Sequence, residues 1–209
     1  RPQAGRDPYE IFTQGYSLDF DAFKGVSLAN KLITQWNTGI KTLRIEAPTL
    51  TAPTVLTDTG TITGWTATVG AQNISLDNTN NPAGSGDITF DLAAGSPTGS
   101  IQISTLSPID MTNLLNNSTG FAWVYLPTGA SVTSITLRWG SDISANYYSL
   151  AVTTTQQGAA FQNGWNLLAF PWVSATVTGS PTVTEYDSVQ VIIAYNSTLQ
   201  TGVKFCNLT

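Results

Sequence analysis

The 209-residue sequence contains no histidine, one cysteine (Cys206) and one methionine (Met111), and only 10% of it is charged. Without histidine there is no Ser-His-Asp or Cys-His machinery and no imidazole-ligated zinc, haem or copper site. One cysteine excludes an internal disulfide framework, a cysteine-type zinc site and an iron–sulfur cluster. No apolar run approaches the length of a membrane span, and nothing in the first residues has the charged, apolar and small-residue order of a secretory leader. Membrane insertion is therefore not expected. Disorder is excluded too, because hydrophobic residues reach 41%. Threonine is abundant, with 32 copies, and this β-branched residue suits half-exposed strands. A chain of this length can bury roughly two-thirds to three-quarters of its unfolded surface and needs no staples.

Charge is unevenly placed. Residues 1–44 hold six of the eight basic groups (Arg1, Arg6, Lys24, Lys31, Lys41, Arg44) and four acids, a net of +2; residues 45–209 hold Arg138 and Lys204 against nine acids, a net of −7. Affinity for nucleic acid comes mainly from neutralising phosphates, so an acidic body with two cations predicts no nucleic-acid partner.

Three zones follow one another. Residues 1–25 mix proline, glycine and aromatics without a period. They read as an extended arm whose Tyr9, Phe12, Tyr16, Phe20 and Phe23 need another surface to bury them. Over 27–43 a helix is predicted. Ser27 caps it, and Leu28, Leu32, Trp36 and Ile40 recur every four residues, with Ile33 and Leu43 broadening the stripe. A helix this short must dock on something, either its own domain or a partner subunit. Residues 1–47 thus form an arm and helix for assembly, with Tyr9, Phe12, Leu28, Leu32, Trp36 and Ile40 as its contact residues. The stretch 48–61, with Pro48 and Pro53 among threonines, reads as a linker.

From residue 62 to 209 the chain is strand and turn. Strands are expected over 64–69, 72–77, 86–92, 99–104, 120–126, 132–139, 147–155, 165–172, 188–195 and 202–208. Turn chemistry sits at 81–84 (Asn-Pro-Ala-Gly), at 127–129 (Pro-Thr-Gly) and at Asn163-Gly164, the last a hairpin signal. Short strands at this spacing, without intervening helices, indicate a sandwich or barrel. The expected fold is all-β: an antiparallel β-sandwich preceded by an extended N-terminal arm with one short α-helix.

The stretch SLDNTNNPAGSGDITFDL (75–92) resembles the opening of carbohydrate-binding-module-like, galactose-binding-like jelly rolls. The segments GFAWVYLP (120–127), SITLRWGSDISANYYSLAV (134–152), GWNLLAFPW (164–172) and YDSVQVIIAY (186–195) resemble their later strands. The resemblance covers residues 62–209. It implies a jelly roll of the kind found in tailed-phage virion proteins and in secreted bacterial enzymes that act on polysaccharide. It also implies a structural calcium held by carboxylates near the first and last strands. The chain departs there, since its closing strand reads VKFCNLT, with Cys206 and Asn207 in place of an acid. Asp77, Asp87 and Asp187 are the candidate calcium ligands; the other reading of the Asn-rich loop is a turn built on Asx and glycine residues. No other cofactor is implied.

Strand parity defines a candidate ligand face. Ile135, Leu137 and Trp139 share the core side of one strand, leaving Thr136 and Arg138 outward. Tyr148, Leu150 and Val152 share the core side of another, leaving Tyr147, Ser149 and Ala151 outward. If these strands are neighbours, Arg138 and Tyr147 lie together beside Asn146 and Gln190. A guanidinium near an aromatic plane, with amides around it, suits a sugar ring; the other reading is an ordinary cross-strand pair. Trp65, Trp123, Trp139 and Trp165 fit core positions. Trp172, after Pro171 at a strand end, is a candidate exposed sugar platform or subunit contact.

Glycoside hydrolysis needs two carboxylates. The three glutamates are Glu10 and Glu46, outside the sandwich, and Glu185, which shares a strand face with Asp187 in a polar strand entry. No serine–lysine motif accompanies Lys204. An enzyme is therefore not expected. Two functions compete. The leading expectation is a phage virion structural protein (capsid decoration, tail, baseplate or fibre), homo-oligomeric, assembled with other virion subunits through its arm and displaying a jelly roll with weak glycan binding. A free cysteine suits assembly in a reducing cytoplasm. The alternative is a carbohydrate-binding module of a secreted bacterial polysaccharide-acting protein, and a bacterial surface domain lies between them.

Overall fold

The computed structural model describes residues 54–209, within a unit running Pro53–Thr209. The arm, the predicted helix over 27–43 and the assembly residues Tyr9, Phe12, Leu28, Leu32, Trp36 and Ile40 lie outside the described residues.

Eleven strands form among them: β1 Thr66–Thr68, β2 Ala71–Asp77, β3 Asp87–Leu92, β4 Thr98–Ile103, β5 Thr119–Leu126, β6 Val132–Asp142, β7 Asn146–Val152, β8 Gly164–Pro171, β9 Thr176–Thr178, β10 Ser188–Tyr195 and β11 Gln200–Leu208. They pair antiparallel in two sheets, one of six strands in the order β1-β4-β10-β6-β7-β9 and one of five in the order β2-β3-β11-β5-β8. Non-consecutive neighbours in both sheets are the mark of a jelly roll, in which successive strands cross between layers. Among the described residues no helix is long and apolar enough to cross a membrane.

Period-two alternation explains the layering. In β6 the buried residues Val132, Ile135, Leu137 and Trp139 alternate with part-exposed ones, and in β10 Val189, Val191 and Ile193 do the same. They meet Ile88, Phe90 and Leu92 of β3, Val124 and Leu126 of β5, and Val203 and Phe205 of β11 in one core. Each such side chain contributes about 1.5–3 kcal/mol on burial. Tyr148 of β7 stacks on Trp139 at 5.7 Å between ring centroids, on the core side that its parity predicts.

Three expectations change. First, the described part of the 48–61 segment is built into the sandwich rather than acting as a linker. Leu56 and Thr57 both donate their N–H to Leu208 O, at 2.7 and 3.1 Å, and Leu208 returns a bond to Thr57 O at 3.1 Å. Leu56, Thr57 and Thr59 are buried, and the buried Tyr186 hydroxyl bonds Thr57 Oγ1 at 3.0 Å. Second, Asn163-Gly164 is not a hairpin turn, because β7 and β8 lie in different sheets. Asn163 instead accepts the N–H of Gly129 at 2.9 Å, and Gly164 opens β8 at φ +96°, a conformation glycine adopts without penalty. Third, β9 arises where no strand was expected: a fully exposed three-residue edge (Thr-Val-Thr) with no apolar alternation to announce it.

Candidate functional site

The outer face of the six-stranded sheet carries a row set by register. Gln190 of β10 sits between Gln102 of β4 and Arg138 of β6, and Arg138 opposes Ser149 of β7. Arg138 Nη1 donates to Gln190 Oε1 at 3.2 Å, and Gln190 Nε2 donates to Gln102 Oε1 at 3.1 Å. Two residues further along the same β6–β7 pair, Tyr147 opposes Gly140, which has no side chain to compete for the space. A Cβ there would lie 2.9 Å from the Tyr147 Cα. The Arg138 guanidinium lies over the Tyr147 ring, 4.7 Å from its centroid. Cation–π stacking on an open face is worth about 0.5–1 kcal/mol.

The result is a shelf of stacked guanidinium and phenol, with a strip of two amides and a hydroxyl beside it. Arg138 keeps donors in reserve, since among the described residues only its Nη1 is engaged, by Gln190. The described residues hold two cations. Lys204 is paired with Asp77, whereas Arg138 has no acidic partner among the described residues. Gln102 was absent from the sequence-predicted set, although the parity of the 99–104 strand turns it outward.

Asn146 does not join this row. It precedes Tyr147 by one residue, and its Oδ1 accepts the N–H of Ser180 at 2.9 Å, pinning the turn before the last strands. Trp172 is not a platform either. It is only 3% exposed, and its ring lies 4.5 Å from that of Trp139. As β8 ends at Pro171, the 3₁₀ turn Trp172–Ser174 carries the indole inward, and the neighbour left in solvent is Val173.

The other sheet reverses two further expectations. Trp123 and Trp165 are half-buried rather than core residues, while Trp65 and Trp139 are buried. On β5 the inward positions are Ala122, Val124 and Leu126, so Phe121, Trp123 and Tyr125 face out. Trp165 of β8 opposes Tyr125 in register and meets its ring edge-on at 5.5 Å.

The three candidate calcium ligands do not converge. Asp77 and Asp87 are cross-strand partners of β2 and β3, while Asp187 precedes β10 in the opposite sheet and accepts the Ser188 hydroxyl at 2.7 Å. Among the described residues no group of three or more carboxylate or cysteine side chains is placed to hold a metal ion. Asp77 is engaged by Lys204 and by Thr79, and these hydrogen bonds hold its carboxyl down at about 2. Asp87 is fully buried, and that burial raises its carboxyl above the ordinary range. Burial likewise pushes the Cys206 thiol beside it up to about 12, Asp87 adding to the effect. A thiol so sheltered is inert, so Cys206 carries no information about compartment. Glu185, the other carboxylate considered for hydrolysis, is exposed.

No family model matches this sequence, and no curated protein matches it. The fold is similar to solved carbohydrate-binding modules. One is the family 11 module of Clostridium thermocellum in complex with a β-1,3-1,4-mixed-linked tetrasaccharide (12% identity, TM-score 0.48, 74% of this chain and 92% of that one). Another is the C-terminal family 22 module of Clostridium thermocellum Xyn10B (18% identity, TM-score 0.39, 73% and 90%). A tailspike protein of bacteriophage CBA120 is similar over 74% of this chain but 21% of its own (14% identity, TM-score 0.34). The described unit is an antiparallel β-sandwich of two sheets, similar in fold to these modules. At these identities the likeness is one of fold and assigns no ligand to the side chains.

Proposed function

We propose that the sandwich is a non-catalytic glycan-binding domain, of the kind borne by secreted polysaccharide-acting proteins, and that it holds sugar on the outer face of its six-stranded sheet. The observation that carries this reading is the Arg138–Tyr147 stack continued by Gln190 and Gln102. A pyranose or furanose ring has an apolar C–H face and a rim of hydroxyls. The shelf suits the first, and the amides of Gln190 and Gln102, the Ser149 hydroxyl and the remaining Arg138 donors suit the second. The side chains already brace one another, so little rotamer freedom is left to lose on binding. An open sheet face accommodates a chain of sugars rather than enclosing a single one.

The reading as a virion subunit rests on the arm and helix, and no observation among the described residues favours it. The test is electrophoretic retardation in gels containing soluble mixed-linkage β-glucan, xylan, arabinan or agarose. The wild type is expected to be retarded by at least one of these. Arg138→Ala and Tyr147→Ala are each expected to lower that affinity at least tenfold, about 1.4 kcal/mol, with thermal stability little changed. No retardation by any polymer, or unaltered retardation of both variants, would remove this function.

A further inference from the structure

On the opposite side of the molecule, the 78–86 loop between β2 and β3 folds back toward β8. With Trp165 it bounds a groove of about 390 Å³, lined by Thr79, Asn80, Asn81 and Pro82. We propose that this groove is a second saccharide site, taking a neutral sugar ring against the Trp165 indole. It shares the ligand class of the reading above and none of its residues.

The loop is built as a fixed wall. Asp77 Oδ1 accepts both the N–H and the hydroxyl of Thr79, at 2.8 and 2.6 Å, and Asp77 is itself held by Lys204. Midway, the Cys206 thiol donates to Ala83 O at 2.8 Å. At the far end the Thr59 hydroxyl donates to Gly86 O at 2.6 Å. Gly84, at φ +72°, lies so close to Asn207 that a Cβ would come within 2.4 Å of its Nδ2; only glycine lets the loop pass there. The indole is fixed as well. Tyr125 meets it edge-on, and the Lys204 ammonium in turn lies over the Tyr125 ring at 5.7 Å.

The lining selects the ligand. It offers one indole, one pyrrolidine ring, two carboxamides and a hydroxyl, and no charge. An anionic ligand needs an uncommitted cation, and the nearby Lys204 is already paired with Asp77. A lipid or an apolar peptide needs a continuous apolar floor, whereas amides interrupt this one. A sugar ring presents C–H groups to an indole and hydroxyls to amides. The Asn80 and Asn81 side chains line the groove beside the indole, where their amides meet the rim of such a ring. The preformed wall reduces the ordering cost of binding, as in any preorganised site.

The probes are the same four polymers, with Trp165→Ala and Asn81→Ala made both in the wild type and in the Arg138→Ala/Tyr147→Ala background. Trp165→Ala is expected to weaken binding to at least one polymer at least tenfold, and to remove what binding the double background retains. Asn81→Ala, on the exposed loop, is expected to weaken the same polymer and reports even if Trp165→Ala fails to fold. Unchanged affinity of Asn81→Ala and of a folded Trp165→Ala for every polymer overturns the second site. If, in addition, Arg138→Ala and Tyr147→Ala abolish all binding, the first site stands alone. Loss confined to the Trp165 and Asn81 variants supports the second site and overturns the first, and a wild type that binds no polymer overturns both.

Discussion

Replacing Trp172 with alanine separates two roles that the sequence left open for it. The indole is 3% exposed, packs on Trp139 at 4.5 Å, and approaches Gly120 so closely that a Cβ there would lie 2.0 Å from its Cζ2. Removing a buried Trp costs about 3–5 kcal/mol, with the residual cavity setting the value. Two grooves, of about 430 and 260 Å³, adjoin this indole. Solvent can therefore fill part of the space, which points to the lower half of that range. For a unit of this size each kcal/mol shifts Tm by about 2–4 °C, so a fall of roughly 6–16 °C is expected. Gly120→Ala should act in the same direction from the other side, costing about 1–3 kcal/mol by overpacking the indole. The assay is thermal unfolding by near-UV circular dichroism, paired with polysaccharide retardation at 10 °C, where both variants remain folded. Trp172→Ala should melt early and bind as the wild type does. A Tm within about 2 °C of the wild type together with lost retardation would refute the burial argument and restore Trp172 as a platform.

Thr57→Val leaves the buried Tyr186 hydroxyl without its 3.0 Å partner and should cost about 1–3 kcal/mol, read as a lower urea midpoint; a true linker residue would show no change. The acid limb of stability should belong largely to Asp77. Its folded carboxyl titrates at about 2 against about 3.9 in an unfolded chain, so its contribution is present above pH 4 and lost as pH falls toward 2. Asp87 runs the other way, because burial favours its neutral form and its contribution declines as pH rises. In urea midpoints between pH 2 and 6, the gap between wild type and Asp77→Asn should therefore close toward pH 2.

Parity made much of the first site legible. The alternation of Ile135, Leu137 and Trp139 with Thr136 and Arg138, and of Tyr148 and Leu150 with Tyr147 and Ser149, follows from the pleat and needs no partner strand. It therefore places Arg138 and Tyr147 outward from sequence alone. The same rule applied to 120–126 turns Trp123 outward, and the preference of large aromatics for cores pointed the wrong way there. Residues at and beyond strand ends escaped the rule. Trp172 enters a 3₁₀ turn whose direction depends on the space left by Gly120, and Asn146 is claimed by Ser180, which lies 34 residues away along the chain.

The sequence by itself determined the all-β class, most strand positions, the core faces of β6 and β7 and the absence of histidine- or disulfide-based chemistry. These depend on composition and on a period of two, which are local properties. Tertiary structure alone decided which strands are neighbours. Gln102 could join Gln190 and Arg138 only once β4 and β6 flanked β10. Asp187 was separated from Asp77 and Asp87 by the sheet to which its strand belongs. The 54–61 segment became part of the sandwich because Leu208 offered it backbone partners. Register between distant strands is fixed by pairing energies summed over both sheets, and no single segment carries that information.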